Sequence, residues 1–146
     1  MTTEGLTPTR VSINNLLDVV TARRRGLDMA LALGFPVAEA TKIAVVISEL
    51  GRNIILYARK GTITLIAYTG EEKCFKVIAQ DEGPGIEDVE RVLAGGHSTS
   101  KGLGLGLSGS KKLMDEFEIE SVVGAGTMIK ATKRLRQNLR VLPTYA

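Results

Sequence analysis

Residues 37–57, VAEATKIAVVISELGRNIILY, decide how the rest of the chain is read. Ile43, Ile47, Leu50 and Ile54 recur at the spacing of a single stripe on an α-helix, so the segment predicts a helix with one core-facing side, introduced by Pro36 and ended by Gly61. Glu49 and Asn53 lie four residues apart, one turn from each other on a face that points away from the stripe. A carboxylate beside an amide oxygen can handle a proton and help hold a hard cation such as Mg2+. The same pair at the same spacing also serves merely to solvate a helix, so its meaning depends on its neighbours.

Upstream, residues 11–13 read as a short strand, and Asn14 or Asn15 caps a helix over 16–33 that stops at Gly34. Downstream, ITLIAY from Ile63 and CFKVIAQ from Cys74 alternate as strands, with the polar turn around Gly70 making them an antiparallel hairpin. A long segment follows Asp81, with Gly83, Pro84, Gly85, Gly95 and Gly96 and a short helix near 87–93. It runs into STSKGLGLGLSGSKKLMDEF, residues 98–117, where Ser108 or Ser110 caps a helix that carries Leu113, Met114 and Phe117 inward. Strands around 119–123 and 128–133 close the pattern across a turn at Gly124, Ala125 and Gly126. The order β, α, α, β, β, long loop, α, β, β predicts an α+β fold, a two-layer sandwich with helices on one face of a mostly antiparallel sheet. Loops beyond ~15 residues are uncommon in compact domains and most often bind something.

Gly104, Gly106 and Gly109 satisfy G-x-G-x-x-G, but no strand runs directly into them, as the dinucleotide fingerprint requires. The H-R-D and D-F-G strings of the eukaryotic-type kinases are absent, and no Walker A lysine follows. Bare glycines nevertheless let backbone N–H groups approach an anion, and the next helix adds the partial positive charge of its N-terminus. Asp81 closes an apolar run, which places a carboxylate at partial burial where it must find donors and is able to read an exocyclic amine. An ordinary strand-ending turn accounts for DEGPGI equally well, and a simple hairpin for Gly124, Gly126 and Thr127.

Taken in order, SELGRN, DEGPGI, GLGLGL and GAGT resemble the N, G1, G2 and G3 boxes of the GHKL superfamily, whose members use the Bergerat, histidine-kinase-like ATPase fold. The resemblance spans about residues 11–135. The strings ISELGRNIILYA, STSKGLGLGL and KKLMDEF are similar to the serine/threonine switch kinases of the bacterial stressosome, more than to their anti-sigma-factor relatives. His97, where an aromatic residue is expected, and Leu105, between the lid glycines, depart from the pattern.

The resemblance implies one ATP-binding kinase domain over 1–136 and a tail over 137–146. It implies that Asn53 coordinates Mg2+ on the phosphates of ATP, that Glu49 orients or deprotonates the attacking hydroxyl, and that Asp81 accepts the adenine amino hydrogen with support from Thr127. Gly83 and Gly85 would let the backbone pass close to the base, and Gly102, Gly104 and Gly106 would line the triphosphate. The implied function is an ATP-dependent serine/threonine kinase that phosphorylates STAS-domain scaffold and antagonist proteins and then binds and activates a downstream regulatory protein. An anti-sigma factor with kinase activity, and a nucleotide-gated binding module without transfer, are the alternatives. Lys101 is either a contact to the terminal phosphate or a solvated lysine. Arg52 is similarly ambiguous: expected to project well off the Glu49 face, it has docking of a protein as its alternative role.

The 146 residues, 44% hydrophobic and 24% charged, suit one soluble domain. A net charge of +3 with 4% aromatic residues and no Trp argues against a nucleic-acid surface. Arg23, Arg24 and Arg25 read as a solvated helix face; Lys130, Lys133, Arg134, Arg136 and Arg140 read as an edge strand entering a basic tail. Cys74 sits in an apolar alternation as a small buried hydrophobe, and His97 lacks companions for a metal site. With no membrane-length apolar run and no basic-then-apolar leader, a cytoplasmic protein is expected.

Overall fold

The computed structural model describes residues 8–94 and 106–136. In chain order the elements are β1 (Thr9–Ile13), α1 (Leu16–Leu33), α2 (Val37–Asn53), a π-helical turn (Ile54–Ala58), β2 (Gly61–Tyr68), β3 (Cys74–Asp81), α3 (Val89–Leu93), α4 (Gly106–Leu113), β4 (Glu116–Val122) and β5 (Gly126–Arg134). The strands form one sheet in the order β1-β2-β3-β5-β4, every neighbouring pair antiparallel.

Period-two alternation sends Ile63, Leu65 and Ala67 of β2 and Phe75, Val77 and Ala79 of β3 to the same face, where they are buried with Ile43, Ile47 and Leu50 of α2 in one core. Helix α1 begins where the Asn15 side chain accepts the Asp18 N–H at 2.9 Å and ends at Gly34, whose φ of 119° only glycine adopts readily. The two long helices approach closely because α1 carries Gly26: a Cβ there would lie 2.1 Å from Cδ1 of Ile47.

Several expectations from sequence need correction. The α-helical part of 37–57 stops at Asn53 and widens into the π-helical turn, which Arg59 ends at φ 75°; Gly61 belongs to β2. Helix α4 begins at Gly106, so Ser108 and Ser110 lie inside it, Met114 follows it and Phe117 belongs to β4. Strand β5 runs between β3 and β4 rather than at an edge, and Lys133 from the basic cluster is buried on the inner face, in register with Phe75. The edge strands are β1 and β4, the latter with Glu116, Glu118 and Glu120 exposed at alternate positions. Cys74 lies at the start of β3 on the outer face, half-buried, and that burial pushes its thiol pKa up. Arg140 and the expected tail over 137–146 lie outside the described residues.

Candidate active site

Strand β3 delivers Asp81 to its end, directly opposite Thr127 of β5. Asp81 Oδ1 accepts the Gly83 N–H at 2.9 Å, and among the described residues Oδ2 has no hydrogen-bond partner. Both Asp81 and Thr127 line a cavity of about 440 Å³ whose other walls include Ile86, Val92, Leu107 and Ile129. A cavity with largely apolar walls and a carboxylate in its lining suits a heteroaromatic ring with an amino edge.

The segment after Asp81 is held in place by its glycines and by one serine. A Cβ on Gly83 would lie 2.6 Å from Cβ of Ala58, and one on Gly85, whose φ is 82°, would lie 2.5 Å from the Val122 carbonyl oxygen. Neither position tolerates a side chain, so the backbone can thread between the π-helical turn and the end of β4. Ser121 Oγ accepts the Ile86 N–H at 2.7 Å, donates toward the Gly126 carbonyl at 3.2 Å and lies 2.9 Å from Thr127 Oγ1. Sequence reading missed Ser121. The available signal was a hydroxyl at an inward position of β4, in line with Phe117 and Ile119.

From α2, Asn53 faces the cavity, and Tyr57 does so one turn further along the π-helical turn. Glu49, one turn earlier, is buried at 5% exposure, contrary to the expectation that its face points away from the packed side. The reason is α4, which crosses the last turns of α2: Glu49 Oε1 accepts the Gly106 N–H at 3.2 Å. Arg52, expected to project elsewhere, pairs with Glu49 Oε2 at 3.1 Å, the i,i+3 geometry bringing both side chains together.

The structure thus gathers Asn53, Asp81, Gly85, Gly106 and Thr127 around one cavity, with Glu49 beneath Gly106 and Gly83 beneath the loop. Tyr57, Ile86 and Arg91 are walls that sequence reading did not name. Gly102 and Gly104, with Lys101, His97 and Leu105, lie outside the described residues. No group of three or more His, Cys, Asp or Glu side chains able to hold a metal occurs among the described residues; Asn53, Asp81, Glu87 and Asp88 are the lining residues whose side chains carry amide or carboxylate oxygens.

Residues 13–133 match the family described as the histidine kinase-like ATPase domain. The chain is 51% identical over 121 residues to the serine/threonine-protein kinase RsbT of Bacillus subtilis (strain 168), covering 82% of this chain and 90% of that relative. It is 33% identical over 108 residues to the anti-sigma F factor of Caldanaerobacter subterraneus subsp. tengcongensis, covering 70% of this chain and 75% of that one. Among solved structures it is similar to a Mycobacterium tuberculosis protein's RsbU and RsbW domains, with a TM-score of 0.60 at 16% identity over 89% of this chain and 33% of that chain.

Proposed function

We propose, on the premise that this chain belongs to the histidine kinase-like ATPase domain family, that it is a protein serine/threonine kinase which moves the terminal phosphate of ATP onto STAS-domain proteins. The observation that carries this reading is one cavity lined by Asp81, Thr127 and Asn53, backed one helical turn away by a buried carboxylate, Glu49. The extensive identity to a named serine/threonine kinase supports it.

In this reading Asp81 Oδ2, free of protein donors among the described residues, accepts the amino hydrogen of adenine. Thr127 Oγ1, held by Ser121, supports that contact, and the walls made by Ile86, Leu107 and Ile129 cover the ring. Asn53 offers its amide oxygen to Mg2+. The fit is chemical: Mg2+ is usually bound by one or two protein groups with phosphates and waters completing its shell. Bound there, the ion neutralises charge on the phosphate oxygens. The Gly106 N–H, first in α4, is offered to a phosphate oxygen, and Gly102 and Gly104 are assigned to the same triphosphate.

Glu49 orients the acceptor hydroxyl and takes its proton as the serine or threonine oxygen bonds to phosphorus and the bond to the ADP oxygen breaks. Residues 1–136 act as the kinase domain. After phosphorylating scaffold and antagonist proteins, the kinase binds a downstream regulatory protein in the cytoplasm; no helix among the described residues is long and apolar enough to cross a membrane. A second reading, an anti-sigma factor with kinase activity, draws on the 33% identity to an anti-sigma F factor.

Incubation with labelled ATP, Mg2+ and a purified STAS-domain protein is expected to place phosphate on Ser or Thr. Tight ATP binding without transfer would instead favour a nucleotide-gated binding module, and recovery of a sigma factor in a pull-down would favour the anti-sigma role. Glu49→Ala is expected to slow transfer by about 10²- to 10⁴-fold with nucleotide affinity retained, whereas Asp81→Asn weakens binding itself. Calorimetry on both variants checks this, and equal losses of affinity contradict the assigned roles.

A further inference from the structure

We infer that Arg52 is a positioning residue for the transfer step, holding Glu49 by one carboxylate oxygen so that the other is left to take the hydroxyl proton. The inference rests on the reading of Glu49 as the base. A carboxylate at 5% exposure needs donors, and among the described residues this one has two: the Gly106 N–H on Oε1 and the Arg52 guanidinium on Oε2. They differ in permanence. Gly106 lies at the N-terminus of α4 and lines the cavity, where its amide is the donor a phosphate oxygen would claim.

An amide N–H directed at a phosphate no longer serves the carboxylate. Once nucleotide is bound, Oε1 is therefore the vacant acceptor, and Arg52 is the remaining tether on the carboxylate among the described residues. Arg52 stands three residues along the same helix at 3.1 Å, so the backbone of α2 fixes both partners in one frame. Its side chain is 43% exposed, which makes it replaceable without opening the core, and its planar fork sets the carboxylate orientation in a way that the point charge of a lysine only partly reproduces.

The test is single-turnover transfer from labelled ATP to the STAS-domain acceptor, measured for wild type, Arg52→Ala, Arg52→Lys, Glu49→Gln and the Arg52→Ala/Glu49→Gln double variant, with ATP affinity and unfolding midpoint determined for each. Arg52→Ala is expected to lower the transfer rate by about 10²-fold, the scale of a misplaced catalytic group, at unchanged ATP affinity and with the fold retained, the unfolding midpoint falling as Glu49 loses one donor. Arg52→Lys recovers part of the rate, and Arg52→Ala adds no further loss to Glu49→Gln. A wild-type rate in Arg52→Ala overturns the inference, as does a fall in ATP affinity that accounts for the lost rate. If Glu49→Gln is slow and the double variant is slower by the full single-variant factor, Arg52 acts on the acceptor or the nucleotide directly, and this inference alone falls. If Glu49→Gln transfers at full rate, the assignment of the base fails and takes this inference with it.

Discussion

The long helices α1 and α2 and the short helices α3 and α4 are held in the fold by different means. In α1 and α2 close approach does the packing: Gly26 leaves room for Ile47, and Gly51 leaves room for Val19. Buried side chains recur along both helices. Helix α3 has five residues and buries none of its side chains, while α4 has eight and buries Gly106, Leu107 and Ser110. The side chains proposed to do chemistry, Glu49, Asn53, Asp81 and Thr127, all stand on α2 and the central strands. The α3–α4 region contributes a backbone amide and much of the apolar wall. Rigid elements thus carry the groups whose placement matters to within fractions of an ångström, and elements with little buried surface line the entry, where local opening is least costly.

Ile47→Ala should produce the largest effect, a loss of about 2–5 kcal/mol in unfolding free energy by urea titration, because it empties fully buried space between α1 and α2. A loss no greater than that from a surface substitution would erase the contrast between the helix pairs.

Lys133→Met probes how α4 is fastened. Lys133 Nζ donates to the Leu113 carbonyl at 2.8 Å and pairs with Glu39 of α2 at 3.1 Å, so the last turn of α4 hangs on a strand residue. The expected cost is about 1–3 kcal/mol, with amide exchange accelerated in α4 before α2. The Lys133 hydrogen bond, opposed by burial, holds the Glu39 carboxyl below its ordinary 4.5. A depressed folded-state pKa stabilises the fold above the unfolded value and ceases to do so as pH falls through the folded one. The stability gap between wild type and Lys133→Met should therefore be constant near neutrality and shrink on acidification below that range. A gap independent of pH would show that the ion pair contributes nothing.

The smallest effect is a gain. Ser110 Oγ is fully buried and has no hydrogen-bond partner among the described residues, so Ser110→Ala should raise stability by about 1 kcal/mol, seen as a higher melting temperature. A lower one would mean that the hydroxyl has a role in the fold after all.

How far these features could be read from the sequence depends on whether their causes are local. Asn15 and Gly34 marked the ends of α1 because a side-chain cap and a left-handed stop are local chemistry. Alternation gave the β2–β3 hairpin, and Asp81 was placed at the end of β3 because the apolar run stops there. The burial of Glu49 was hidden, since it is imposed by an amide 57 positions away. The start of α4 was missed because Gly106 takes a positive φ of 64° where a serine cap two residues on was the better local candidate. The inner position of β5 was equally illegible: strand order follows from long-range pairing, and Lys133 has no sequence mark separating it from its solvated neighbours. The π-helical turn has no periodic signature in a stretch of only five residues.

Edge strand β4 holds Glu116, Glu118 and Glu120 at every second position, exposed to solvent. A foreign strand docking along that border would lay its backbone beside Glu118 and Glu120, Glu116 being paired with Arg134, and two copies meeting border to border would bring like charges together. This border of the sheet is thereby guarded against zipping onto its own kind, a safeguard against aggregation that is independent of catalysis.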